Sequence, residues 1–278
     1  MPILYDIHMH SSFSTDSDAP MQSMAQTAIR QGLSGICLTE HMDLDYPGKY
    51  HPSDPNTFTT DPEKVHQEVC RLRAHFDEKE HPLWIGFGLE FGMQAHLSDR
   101  FSEIADRFPL DFIIASQHLV NSQDPYYPDS WENQKPEDLI DRYYRELLSN
   151  LKKMKEWDTL GHLDYIIRYI PGQGDSVYDS MARHSEVIDE ILQYIISCGK
   201  CLEVNTAGYK YGFMQPHPAP EILRRYYELG GRLLTIGADA HRPEHIAFAY
   251  DKAEALLRSV GFTDYCVFEG RRMRKIQF

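Results

Sequence analysis

The sequence predicts an α/β protein whose parallel strands close, or nearly close, into a barrel. Short β-type runs alternate with longer helical runs seven times along the chain. The β-type runs are apolar at consecutive positions, as in Phe112-Ile113-Ile114-Ala115, the pattern of strands covered on both faces. Histidines and carboxylates recur at the ends of six of those runs, which is where a parallel barrel gathers its chemistry. An open doubly wound sheet is the rival architecture. It builds its site at a single switch point and leaves the recurrence at six strand ends without a reason.

The elements follow in order. The first β-type run, 3–7, leads into Asp6-Ile7-His8-Met9-His10 and then Asp16. A helix is expected near 20–32. The second run, 35–39, ends in Thr39-Glu40-His41, and the helix after it, near 62–80, opens on Asp61-Pro62-Glu63. Proline and an acid suit a first helical turn. The third run, 83–90, ends in Gly88-Leu89-Glu90, with a helix near 97–107. Gly86-Phe87-Gly88 lies inside this strand pattern and is no dinucleotide loop. The fourth run, 112–116, leads to Ser116-Gln117-His118, and its helix near 136–157 opens on Pro136-Glu137-Asp138. The fifth, 160–162, ends in Gly161-His162 before a helix near 180–198. The sixth, 202–205, precedes a helix near 219–230. The seventh, 233–238, runs into Gly237-Ala238-Asp239-Ala240-His241 before a helix near 244–259. Gly32, Gly199, Gly230 and Gly261 stand where helices should stop. No linker, repeat or shift in composition marks a boundary, so one domain over 1–278 is expected.

Composition narrows the partners. The 278-residue chain is 42% hydrophobic and 25% charged, ordinary for a soluble globular protein. No apolar stretch approaches the roughly 20 residues that cross a bilayer, and Met1-Pro2 runs straight into a strand pattern. A cytoplasmic protein without a membrane partner is expected. A net charge of −14 opposes binding along a nucleic-acid backbone, which needs a basic face. Arg271, Arg272, Arg274 and Lys275 form a local basic end, read as solvated or packed. Five cysteines make no disulfide framework. Cys198-Gly199-Lys200-Cys201 lacks a second pair and reads as buried or half-buried thiols.

The strand-end residues carry the chemistry. They comprise His8, His10, His41, His118, His162 and His241, with Asp16, Glu90 and Asp239. Nitrogen and oxygen donors without thiolates suit Zn, Fe or Mn, and nine donors are too many for one ion. His8 and His10, two residues apart on an extended segment, face the same way; Asp239 and His241 repeat that spacing. The other histidines, such as His66, His75 and His81, fall in helix or loop patterns and read as ordinary polar residues. Arg168, just beyond His162, is the first candidate for a basic group serving this site, followed by Lys210 and Arg242. Asp43, Asp45, Tyr126 and Tyr127 lie in loops after strands and could form a pocket wall.

Taken in order, HxH, a loop acid, TEH, a strand-end Glu, a strand-end His, GH and DAH resemble the polymerase and histidinol phosphatase (PHP) superfamily, from Asp6 to Pro243. Within it, the histidinol-phosphate phosphatase branch is resembled by Thr39-Glu40-His41, Gly161-His162-Leu163-Asp164 with Arg168, Glu203-Val204-Asn205-Thr206-Ala207-Gly208 and Gly237-Ala238-Asp239-Ala240-His241-Arg242-Pro243-Glu244. The resemblance implies a distorted (β/α)7 barrel with two or three divalent ions at the C-terminal ends of the strands. His8, His10, Glu90 and Asp239 would hold one ion. Asp16 and His41 would hold a second, with Glu90 bridging, and His118, His162 and His241 a third. Many relatives carry histidine where Asp16 stands, and Asp18 is the alternative ligand there. The implied activity is hydrolysis of L-histidinol phosphate to L-histidinol and phosphate by a metal-bridging hydroxide, in histidine biosynthesis. Arg168, His241 and Glu90 would be the catalytic groups, with Arg168 the first candidate for a bidentate phosphate clamp, followed by Lys210 and Arg242. Alternatives are a PHP phosphoesterase for nucleotides or other small phosphorylated metabolites, or a non-catalytic metal-binding module.

Overall fold

The computed structural model describes residues 2–77, 82–172 and 178–278; His81 lies outside them. The chain alternates β1 (Tyr5–Asp6), α1 (Met21–Arg30), β2 (Gly35–Met42), α2 (Pro62–Asp77), β3 (Trp84–Gly92), α3 (Ser98–Arg107), β4 (Phe112–Ser116), α4 (Pro136–Leu151), β5 (Thr159–Leu160), α5 (Ser180–Ser197) and β6 (Cys201–Asn205). A short α6 (Ala207–Lys210), α7 (Pro220–Glu228), β7 (Leu234–Gly237), α8 (Tyr250–Val260) and a hairpin of β8 (Asp264–Glu269) and β9 (Arg272–Gln277) complete it.

β1 to β7 pair in sequence order, every pair parallel. Past their ends, the first and last strands also meet. The Asp239 N–H donates to the His8 carbonyl (2.8 Å), the His10 N–H donates to the Ala240 carbonyl (2.9 Å), and Met9 bridges Ala240 in parallel. The seven-stranded sheet is thus a nearly closed barrel, and the open-sheet alternative is set aside. The strands are buried on both faces, as in the wholly buried β2 and β4, so they read as unbroken apolar runs. The Asp6 carboxylate pins the closure: it accepts from the N–H groups of Ala238 (3.0 Å) and Ala247 (2.9 Å).

Four helices, α1, α5, α7 and α8, stop beside a glycine in a left-handed backbone, among them Gly32 (φ +75°) and Gly261 (φ +116°), a conformation that costs other residues free energy. Several elements differ from the sequence expectation. α4 ends at Leu151 rather than near 157, and the short α6 was not expected. α8 starts at Tyr250 rather than near 244, because 243–245 form a 3-10 turn and Ala247 and Ala249 adopt positive φ. Residues after Gly261 form the β8–β9 hairpin, which packs on the barrel end opposite the donors. Phe268 stacks on Phe112 at 5.1 Å, and the Leu4 N–H donates to the Tyr265 hydroxyl (3.0 Å). Three of the basic residues there have partners, although Arg272, Arg274 and Lys275 are exposed. Arg271 bonds Asp158 and lies 3.4 Å from Glu156, Arg274 donates to Tyr5 (3.2 Å), and Lys275 pairs with Asp264 (3.3 Å). Cys201 is buried as expected, whereas Cys198 is exposed at the end of α5. Among the described residues no helix is long and apolar enough to cross a membrane.

Candidate metal centre

β2 and β3 set His41 opposite Glu90 in register, so two donors leave adjacent strand ends. Asp239 adopts φ +51°, an uncommon backbone for a residue with a Cβ. Gly237 has no side chain for a steric reason: a Cβ there would overlap the Cβ of His8. Gly92 similarly leaves room for the Asp43 carboxylate.

Glu90 is the hub. Its Oε1 accepts from the Ser116 hydroxyl (2.6 Å) and lies 2.9 Å from His162 Nε2 and 3.2 Å from His118 Nε2. Its Oε2 lies 3.4 Å from His8 Nε2, 3.3 Å from His10 Nε2 and 3.2 Å from His41 Nδ1. Asp239 Oδ1 lies 3.6 and 3.4 Å from His8 Nε2 and His10 Nε2. Asp16 Oδ2 lies 2.9 Å from His241 Nε2 and 3.4 Å from His41 Nε2. The structure therefore brings all nine strand-end residues together, and Asp16 rather than Asp18 lines the cavity beside them. One grouping differs from the expectation. His241 sits with Asp16, His41 and His10, on which it stacks at 4.4 Å, not with His118 and His162. Barrel closure explains this: the end of β7 lies beside that of β1, whereas His118 and His162 follow β4 and β5 across the barrel.

The far nitrogens of the rings fix their tautomers. His241 Nδ1 faces the Asp239 carbonyl at 3.0 Å, which can only accept, so Nδ1 carries the proton and Nε2 keeps a lone pair. His8 Nδ1 meets Glu203 at 2.5 Å and His118 Nδ1 meets Asp43 at 2.6 Å, with the same consequence. His10 Nδ1 lies 3.3 Å from Ser14 Oγ, whose hydroxyl donates to Glu40 (2.5 Å) and so can accept from the ring. Such outer partners orient metal-ligating histidines and raise their basicity.

The cluster fits divalent cations. His8 Nε2, His10 Nε2, His41 Nδ1 and Glu90 Oε2 are buried without a hydrogen-bond partner, which is costly. Donors held about 2.0–2.2 Å from a tetrahedral ion stand roughly 3.3–3.6 Å from one another, matching the separations around Glu90 Oε2 and Asp239 Oδ1. Three overlapping triads place their donor atoms within 4.8 Å of one another: His8, His10, Asp239; His10, His41, His241; and His41, Glu90, His118.

The electrostatics reflect mutual neutralisation. Burial opposes ionisation of Glu90, but the positive charge of the His8 and His118 rings, with His10 close by, holds its carboxyl well below the usual range. Asp239 is held low in the same way, chiefly by His8 and His10. Burial disfavours the charged His8 ring, yet Glu203, Glu90 and Asp239 raise it well above the ordinary value. Burial likewise opposes charge on His118, but Asp43 and Glu90 raise it to about 10. At His162 burial prevails and the value falls.

The cluster floors a cavity of about 350 Å³. Arg168 lines it, its side chain 5% exposed, with Nη1 3.6 Å from Asp239 and the guanidinium over Tyr165 and Tyr211. It does not pair with Asp164, which is taken by His217 (2.6 Å) and the Ala219 N–H (2.9 Å). Lys210 Nζ donates to the Asp239 carbonyl (3.1 Å) from behind the cluster, and Arg242 is exposed outside the cavity. Asp43, Tyr126 and Tyr127 line the cavity; Asp45 instead pairs with His96 and Arg100 outside it. Of the supporting groups, Glu40 and Glu203 lie in the motif stretches of the sequence without a role assigned there, and Ser14 carries no sequence signal. A strand-interior Glu inside an apolar run, as at Glu203, was the available signal.

The PHP domain family model matches residues 6–207. Histidinol-phosphatase from Lactococcus lactis subsp. lactis is 31% identical over 271 residues, covering 97% of this chain and 96% of that protein. A probable histidinol-phosphatase of Clostridium acetobutylicum is 30% identical, over 90% of this chain and 91% of its own. The crystal structure of the Lactococcus lactis histidinol phosphate phosphatase, complexed with Zn, L-histidinol and phosphate, superposes with a TM-score of 0.85 at 29% identity, covering 97% of this chain and 98% of that one. With a donor cluster at the strand ends of a seven-stranded parallel barrel and a family match running through most of its strands, the chain belongs to the PHP domain family.

Proposed function

We propose that this protein is a metal-dependent phosphoric monoester hydrolase that converts L-histidinol phosphate to L-histidinol and phosphate. The observation that carries the reading is the set of buried, partnerless donor atoms on the floor of a cavity where, among the described residues, the one lysine or arginine is the buried Arg168. A similar protein bound to Zn, L-histidinol and phosphate supports it.

His8, His10, Glu90 and Asp239 would hold one ion, with Asp16, His41 and His241 around a second and His118 and His162 at a third. Two or three divalent ions, Zn, Fe or Mn, would supply Lewis acidity there when bound and would make a water more acidic. Glu90 offers one oxygen to each side of the cluster and would be the bridging carboxylate. Glu203, Asp43, Ser14 and the Asp239 carbonyl hold four of the six imidazoles, those of His8, His118, His10 and His241, in the tautomer that presents a lone pair. Arg168 is oriented by Asp239 and two tyrosine rings and donates N–H groups to phosphate oxygens, offsetting charge that grows during transfer. Lys210 positions rather than binds, holding the Asp239 backbone in its left-handed turn. The protein is read as cytoplasmic, and the net charge of −14 favours a small ester over a nucleic-acid chain.

The test is phosphate release by metal-loaded protein. Histidinol phosphate should be hydrolysed far faster than p-nitrophenyl phosphate or mononucleotides. Equal rates on all three would remove the substrate assignment and leave a general phosphoesterase.

A further inference from the structure

The cavity wall carries one charge that the metal cluster does not use. Five carboxylates line the cavity: Asp16, Asp43, Glu90, Asp124 and Asp239. Four of them face histidine nitrogens in the cluster. Asp124 has no ion-pair partner among the described residues, although it is only 7% exposed. Its Oδ2 accepts from the Tyr46 hydroxyl (2.5 Å) and its Oδ1 from the Tyr126 N–H (2.8 Å). Each oxygen keeps a lone pair for another donor. A buried carboxylate without a counter-charge is costly, so a structural role alone gives no reason to keep the charge there.

Its surroundings suit a cation. Tyr126, Tyr127, Tyr165 and Phe58 line the same space, and aromatic faces attract ammonium groups and flat rings. Tyr127 is held by stacking on Tyr50 at 3.9 Å, and Tyr46 packs edge-on against Phe58 at 4.9 Å. The Asp124 carboxylate is therefore held by the Tyr46 hydroxyl, from the loop after β2, and by the Tyr126 backbone N–H of its own loop after β4. The cavity is polar in the charge sense: Arg168 and the donor cluster serve an anionic phosphate, and Asp124 is left for the other end of the substrate.

We propose that Asp124 is the specificity-determining carboxylate that binds the primary ammonium of an amino-alcohol phosphate, with the tyrosine wall packing the remainder of the leaving group. This rests on the phosphatase reading above and names the part of the substrate that reading leaves unassigned. Asp124 takes no part in the chemistry at phosphorus.

The experiment compares kcat/KM for histidinol phosphate with that for imidazolylpropyl phosphate, which differs only in lacking the amine, in the wild type and in Asp124→Asn. Asparagine retains an oxygen acceptor and removes the charge. The wild type should prefer the amine-bearing ester by about tenfold or more, the size of a charge-assisted hydrogen bond. Asp124→Asn should bring that ratio close to one, with the loss mainly in KM. An unchanged ratio in the variant overturns the proposal. A wild-type ratio near one overturns it too, whether or not the variant folds. The phosphatase reading stands or falls separately, on histidinol phosphate against p-nitrophenyl phosphate in the wild type.

Discussion

At the residue scale the site is a set of lone pairs aimed by their neighbours. Glu203 illustrates this: one oxygen takes His8 Nδ1 and the other accepts the His162 N–H at 2.8 Å. Glu203→Gln should keep the shape but weaken the orientation, and metal affinity measured by chelator competition should fall about 10–100-fold. Arg168→Lys keeps the charge and loses the planar fork; kcat/KM on histidinol phosphate should drop by roughly 30-fold or more, about 2 kcal/mol of charge-assisted bonding. Protons give a third prediction. Without metal, His8, His41 and His118 titrate above the ordinary histidine value, His118 at about 10. Their pairing then stabilises the metal-free fold below pH 6.5 and is lost as pH rises toward 10. Ions require the neutral rings, so metal binding should release protons and tighten as pH rises. Melting of chelated protein should fall between pH 7 and 10 while that of loaded protein does not; parallel curves would contradict this. The donors were legible in sequence because ligand-type side chains recur at strand ends. The residues that aim them were not, since spacing does not show which acid behind a strand faces a histidine.

At the element scale, the strand order converts sequence position into proximity. His241 belongs with Asp16 and His41 because β7 closes onto β1. The sequence showed seven strands but not which ends would touch, so the third ligand group was drawn across the barrel. The apolar runs located every strand of the sheet, and glycines marked four of the helix stops, whereas α4 ends at Leu151, short of the expected 157, with no glycine to mark it. The β8–β9 hairpin escaped because its outer strand is exposed along most of its length and reads as a basic tail. Close approach at the closure gives a fourth prediction. Gly237→Ala should push β7 away from His8, lower stability by about 1–3 kcal/mol and weaken metal binding. Urea unfolding with and without chelator separates the two effects.

At the scale of the whole molecule, the barrel gathers carboxylates and histidines whose buried atoms are satisfied only by cations, inside a protein of net charge −14. Ions that bind the folded state and not the unfolded one stabilise it by mass action, so chelation should lower the melting temperature along with activity. The central claim is that this cluster holds divalent metal and thereby hydrolyses histidinol phosphate. It is tested most directly by titrating metal back into chelated protein while following phosphate release and bound metal together. Activity should be absent at the start and should plateau only when two or three ions are bound per chain. Full activity with fewer than two ions, or loaded protein that ignores histidinol phosphate, would contradict it.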